Sequence, residues 1–117
     1  MTRDEFQSRT KAYALRVIKV VDALPRDSVS RVLGQQLVRA GTSVAANYRA
    51  ASRARSHAEF IAKLGIVEEE CDESLFWMEM LVDSGRVKGA RLDALITEGS
   101  EILAMTVASI KTARRAR

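Results

Sequence analysis

Apolar residues along this chain recur at steps of three and four, and the recurrence breaks at three places: Pro25-Arg26-Asp27-Ser28, Arg55-Ser56-His57 and Ser84-Gly85-Arg86. Proline, glycine and short polar runs punctuate helices, so the breaks divide the chain into helical segments over about 3–24, 28–54, 57–83 and 90–115. No stretch alternates with period two and no Asn-Gly or Asp-Gly pair marks a hairpin, which predicts an all-α chain. Thr2 with Glu5, and Ser56 with Glu59, have the spacing of capping boxes that open the first and third helices.

Within the first helix, Phe6, Tyr13, Val17, Val20 or Val21, and Leu24 share one face. The second carries Val29, Leu33, Leu37, Ala40, Val44 and Ala51 on a stripe, with Gly34 and Gly41 seven apart on another side. Each glycine costs up to ~1 kcal/mol against Ala in a helix interior. The pair therefore marks either a close approach by another backbone or neutral drift. In the third helix Phe60, Leu64, Val67, Cys71, Ser74, Met78 and Leu81 alternate steps of four and three, the a/d seam of a bundle. Cys71 is thus expected as a small buried thiol, not a nucleophile. The fourth shows Leu92, Ile96, Leu103, Thr106, Ile110 and Ala113, with Leu95, Gly99 and Ile102 alongside. Four such helices with short connections predict a single domain, 1–117, built as an antiparallel up-down-up-down four-helix bundle.

Some apolar residues have no place in that core. Ile66, Phe76, Trp77 and Met80 lie off the seam of the third helix, and Leu15 and Ile18 of the first sit among Lys11, Lys19 and Asp22. Such residues are favoured at interface centres, so they are expected to form the contacts of a homo-oligomer. The other reading makes the third helix central within one protomer.

Composition removes several classes. One cysteine and one histidine in 117 residues supply neither an intramolecular disulfide nor a zinc ligand set, and no cofactor or metal is expected. No run approaches the ~20 apolar residues of a membrane span, and the opening MTRDEFQSR has no signal-peptide core. A soluble, cytoplasmic protein without a membrane partner is expected. The acidic run Glu68, Glu69, Glu70, Asp72, Glu73 is scattered by helical geometry, and no Glu-x-x-His accompanies it. His57 reads as a surface residue, and no phosphate loop or nucleophile motif occurs, so an enzyme is not expected.

Charge sharpens the picture. The net +4 is unevenly distributed. In the predicted bundle one end gathers Arg3, Arg9, Lys11, Arg49, Arg53, Arg55, Lys63, Lys111, Arg114, Arg115 and Arg117 against Asp4, Glu5 and Glu59. Arg49, Arg53, Arg55, Lys63, Lys111, Arg114 and Arg115 are the candidates for binding RNA or DNA phosphates through counterion release. Helix dipoles and the solubility of a C-terminal tail account for Lys111 to Arg117 and in part for Arg53 and Arg55, but not for Arg3, Arg9 or Arg49. Aromatic residues for stacking are few at this end: Phe6 and Tyr13 belong to the core, leaving Tyr48, so sequence-specific readout is not expected. A protein-interaction scaffold without nucleic-acid binding is the competing reading.

The progression Gln36-Leu37-Val38-Arg39-Ala40, Ser43-Val44-Ala45-Ala46-Asn47-Tyr48, Arg55-Ser56-His57-Ala58-Glu59-Phe60 resembles the bacterial four-helix-bundle family of 23S rRNA intervening-sequence proteins. The resemblance runs from Phe6 to about Arg114. Where many members have Asn-Ile-x-Glu-Gly, this chain has Asn47-Tyr48-Arg49-Ala50-Ala51, so no role of that glutamate carries over. The resemblance implies a ring-shaped assembly, typically a homopentamer. It also implies kinship with accessory variability proteins of diversity-generating retroelements, which bind nucleic acid and a reverse transcriptase, and it brings no catalytic residues. Asn47 matches the family asparagine and is expected to bond across helices.

Overall fold

A computed structural model describes residues 1–116 and shows four helices: α1 (Arg3–Asp22), α2 (Ser28–Ser52), α3 (His57–Asp83) and α4 (Gly89–Arg115). No strand occurs among the described residues. Arg117, one of the expected basic residues, lies outside them. α1 and α2 each stop two residues before the expected end, and α4 begins one residue earlier. Leu24 precedes Pro25, which disfavours helical geometry there. At both ends the last amides turn to carbonyls three residues back, Leu24 N to Val21 O (3.2 Å) and Ala54 N to Ala51 O (3.0 Å). Such bonds tighten and close a helix.

The caps follow from local sequence. Thr2 and Glu5 form the full reciprocal box, with Glu5 N–H donating to Thr2 Oγ1 (3.1 Å) and Thr2 N–H to Glu5 Oε1 (3.2 Å). The second box is half formed. Ser56 Oγ accepts from Glu59 N–H (3.0 Å), but the Glu59 carboxylate reaches one residue further and accepts from Arg55 N–H (2.6 Å). α3 closes in a Schellman turn: Gly85 sits at φ +79, Gly85 N–H bonds Val82 O (2.9 Å) and Arg86 N–H bonds Leu81 O (3.0 Å).

Each helix packs against the next, α1 meets α4 lightly, and the backbones of α1 and α3 stay apart. The result is a rod of 48 × 21 × 19 Å. Its core is the α3 seam, where Leu64, Val67, Cys71, Ser74, Met78 and Leu81 are fully buried and Phe60 is half-buried. On α2 the stripe begins at Ser30, not Val29, which is 44% exposed. Ser30 is buried with its polar groups satisfied by the Asp27 cap, whose carboxylate accepts both its N–H (2.9 Å) and its hydroxyl (2.7 Å). On α4 the central stripe is Leu92, Leu95, Gly99, Ile102, Thr106 and Ile110, and Ile96 and Leu103 are displaced to its margin. Gly34 and Gly41 face α1. A Cβ on Gly41 would fall 2.8 Å from Val17 Cγ1, and one on Gly34 3.0 Å from Leu24 Cδ1, so close approach by side chains, not backbone, explains the pair.

Polar groups in the core are satisfied. Tyr13 Oη shares a 2.7 Å hydrogen bond with Ser74 Oγ, Ser74 Oγ bonds Cys71 O (2.7 Å), and the Cys71 thiol donates to Gly99 O (3.2 Å). Burial, with Asp72 nearby, pushes the Cys71 thiol up to about 12. Asn47 departs from expectation. Its amide donates to Ser43 O (2.9 Å) in its own helix and does not bond across helices.

Candidate nucleic-acid interface at the basic end

The start of α1, the end of α2, the start of α3 and the end of α4 meet through direct contacts. Phe6 and Tyr48 pack edge to face with centroids 4.7 Å apart. The Arg3 guanidinium lies 4.5 Å over the Phe60 ring. Ser52 Oγ donates to Gln7 Oε1 (3.2 Å), and His57 Nε2 donates to Ala113 O (2.6 Å). His57 is thus exposed yet tied to the end of α4.

Arg49, Arg53, Arg55, Lys111, Arg114 and Arg115 are exposed around this end and Lys63 is half-buried. Among the described residues none of the seven enters an ion pair; the arginines that do are Arg9, Arg39 and Arg86. Two of the three carboxylates at this end are directed at backbone amides, Glu5 in its capping box and Glu59 on Arg55 N–H. Among the described residues neither forms an ion pair with the seven cations.

Helix dipoles separate these cations into two groups. Arg49, which the expected α2 boundary placed outside the reach of the dipole, lies in the last turn because α2 stops at Ser52, and like Arg114 and Arg115 it stands where a cation is favoured. Arg3 is the first residue of α1, where the dipole opposes a cation and the neighbouring Asp4 and Glu5 favour one, and Arg55 lies between the α2 C-cap Arg53 and the α3 N-cap Ser56, where the two dipoles act in opposite senses.

Arg9 does not belong to the free basic set. It donates from Nε and Nη2 to the Glu98 carboxylate (2.7 Å each) and from Nη2 to Glu101 (2.7 Å), binding α1 to α4. The Arg9 bonds hold the Glu98 carboxyl below its ordinary range. Two further residues were not singled out from the sequence. Phe60, assigned there to the seam, is an aromatic surface at the basic end. Arg39, within the Gln-Leu-x-Arg-Ala run, binds Glu70 (2.9 Å) and Glu73 from α2, which partly neutralises the acidic block. Among the described residues no group of three His, Cys, Asp or Glu side chains is placed to hold a metal ion.

The surplus apolar residues fall on separate sides. Phe76 (47% exposed), Met80 (38%) and Ile66 (38%) lie on the outside of α3, and Leu15 (52%) on α1, with Ile18 half-buried. Trp77 packs partly against the core, edge to face with Phe76 at 5.0 Å, its indole N–H donating to Glu73 (3.3 Å).

Residues 5–108 match the family model described as 23S rRNA-intervening sequence protein. The chain belongs to this family. No curated protein matches it. Among solved structures, a protein of unknown function from the S23 ribosomal protein family of Bacteroides thetaiotaomicron VPI-5482 is 28% identical, with a TM-score of 0.88. The similarity covers 95% of this chain and 99% of that one, so the four-helix architecture extends across the intervening-sequence protein chain. Among the described residues no helix is long and apolar enough to cross a membrane.

Proposed function

We propose that this intervening-sequence protein is a non-enzymatic accessory factor, an up-down-up-down bundle whose basic end holds RNA or DNA phosphates. The observation that carries the reading is the gathering of cations without ion pairs at one end of the bundle. Arg49, Arg53, Arg55, Lys111, Arg114 and Arg115 are exposed there and form no ion pair among the described residues, so a strand of phosphates can reach them. A phosphate strand would supply the missing counter-charge.

The same reading includes a ring-shaped homo-oligomer, five-membered by the family resemblance. A ring of identical subunits repeats one heterologous contact and needs two different faces on each subunit. Leu15 on α1 and Phe76 with Met80 on α3 offer two such faces. An accessory protein of this kind would present nucleic acid to a partner enzyme such as a reverse transcriptase. A pure protein-interaction scaffold is favoured only by the exposed Phe76 and Met80.

Salt decides between the two. Affinity for nucleic acid is expected at low salt and to fall steeply as salt rises, because each neutralised phosphate releases counterions. Changing Arg49, Arg53 and Arg55 together to Glu is expected to reduce that affinity by at least roughly tenfold, with helicity unchanged in circular dichroism. Absence of low-salt binding would leave the scaffold reading.

A further inference from the structure

Two clefts adjoin at the basic end. The larger, of about 430 Å³, lies between Phe6, Tyr48 and Phe60 and the last turns of α4 at Met105 and Ser109. The smaller, of about 330 Å³, is lined by Arg3, Arg55, Ser56 and His57 beside Phe60. Both volumes fall in the range of about 300–1,000 Å³ typical of small-ligand sites. Arg3, His57 and Phe60 line both clefts and stand between them. One cleft is therefore aromatic and the other cationic, with a shared wall.

We infer that the two clefts together take one unpaired nucleotide of a nucleic-acid strand, its base on Phe60 in the larger cleft and its phosphate on Arg3 and Arg55 in the smaller. Phe6 and Tyr48 are buried, whereas Phe60 is half-buried and the Arg3 guanidinium lies over its ring. An exposed cation–π contact is weaker than base stacking on an aromatic ring. An incoming base can thus take Arg3's place on Phe60, and the released guanidinium then faces the phosphate. A base inside a duplex is already stacked and paired, so the site selects single strands, loops or frayed ends. This inference rests on the nucleic-acid reading and makes it specific.

The test measures affinity for a short single strand carrying a fluorescent purine analogue, as RNA and as DNA, and for a duplex of the same sequence. The single strand is expected to bind more tightly, with the analogue's fluorescence quenched on Phe60. Phe60→Leu keeps an apolar side chain and is expected to lose roughly tenfold or more of single-strand affinity and the quenching, with duplex binding unchanged. Ser109→Leu narrows the larger cleft from an exposed position and is expected to do the same if Phe60→Leu fails to fold. Equal, salt-dependent affinity for strand and duplex, insensitive to Phe60→Leu and Ser109→Leu, overturns the nucleotide site and leaves the phosphate-binding reading standing. No binding of either nucleic acid overturns both.

Discussion

Gly99 is the residue around which α1, α3 and α4 converge. A Cβ there would fall 2.7 Å from Tyr13 Oη and 2.8 Å from Leu75 Cδ2, while the Gly99 carbonyl accepts the Cys71 thiol. Alanine is the better helix former by ~1 kcal/mol, so propensity alone predicts a gain from Gly99→Ala. Packing predicts the opposite, because overfilling a close-packed core costs about 1–3 kcal/mol. The net effect is expected to be destabilising. Tyr13→Phe removes the hydroxyl from the clash and from Ser74, at a cost of about 1 kcal/mol on its own. In that background Gly99→Ala is expected to cost less than in the parent, and denaturant unfolding of the four proteins measures the coupling. Strict additivity would assign the clash to Leu75.

At the level of elements, the caps carry a pH dependence. The Asp27 carboxylate accepts from Ser30 at the start of α2, and Arg86 donates to it from the α3–α4 turn (3.3 Å). The Ser30 backbone N–H, followed by its hydroxyl and then Arg86, lowers the Asp27 pKa to about 2. A carboxyl lowered in the folded state from the ordinary ~3.9 stabilises the fold above that range and loses its contribution as pH falls through about 2. Asp27→Ala is accordingly expected to melt at lower temperature than the parent at neutral pH, with the gap closing in acid. Thermal melts across pH measure it, and a gap constant into strong acid would exclude the charge as its source. The Thr2 and Ser56 caps were legible from sequence because their partners lie within four residues, as were the α3 seam and its buried Cys71, whereas the Asp27 cap, without a Glu or Gln three residues on, was not read. Val29 was misplaced because Val29 and Ser30 stand four and three residues before Leu33, so both spacings fit a helical stripe, and the position that is buried carries a polar residue. Arg9 with Glu98, Arg39 with Glu70 and Glu73, and Arg3 on Phe60 join separate helices. Sequence spacing holds no record of such partners, so the composition of the basic end was readable but its free cations and aromatic cleft were not.

On the scale of the whole molecule, the question is how the two apolar faces are used. If the face around Leu15 on one subunit meets the face around Phe76 and Met80 on the next, each subunit carries one half of the contact on each side. Leu15→Glu then disables one face and Phe76→Glu the other, and either alone is expected to reduce the assembly to the 12.9 kDa protomer in light scattering. Both positions are about half exposed, so neither change is expected to disturb the core. Mixing the two variants gives a sharper result. Each retains the face the other lacks, so one intact junction forms and the mixture is expected to stop at a dimer. In a two-fold contact the Phe76 face meets its own copy. Leu15→Glu would then leave the mass unchanged and mixing would restore nothing. A dimer from two monomeric variants therefore identifies a directional contact, and a finite mass of the parent then distinguishes a closed ring, with the basic ends of its subunits in equivalent positions, from an open filament.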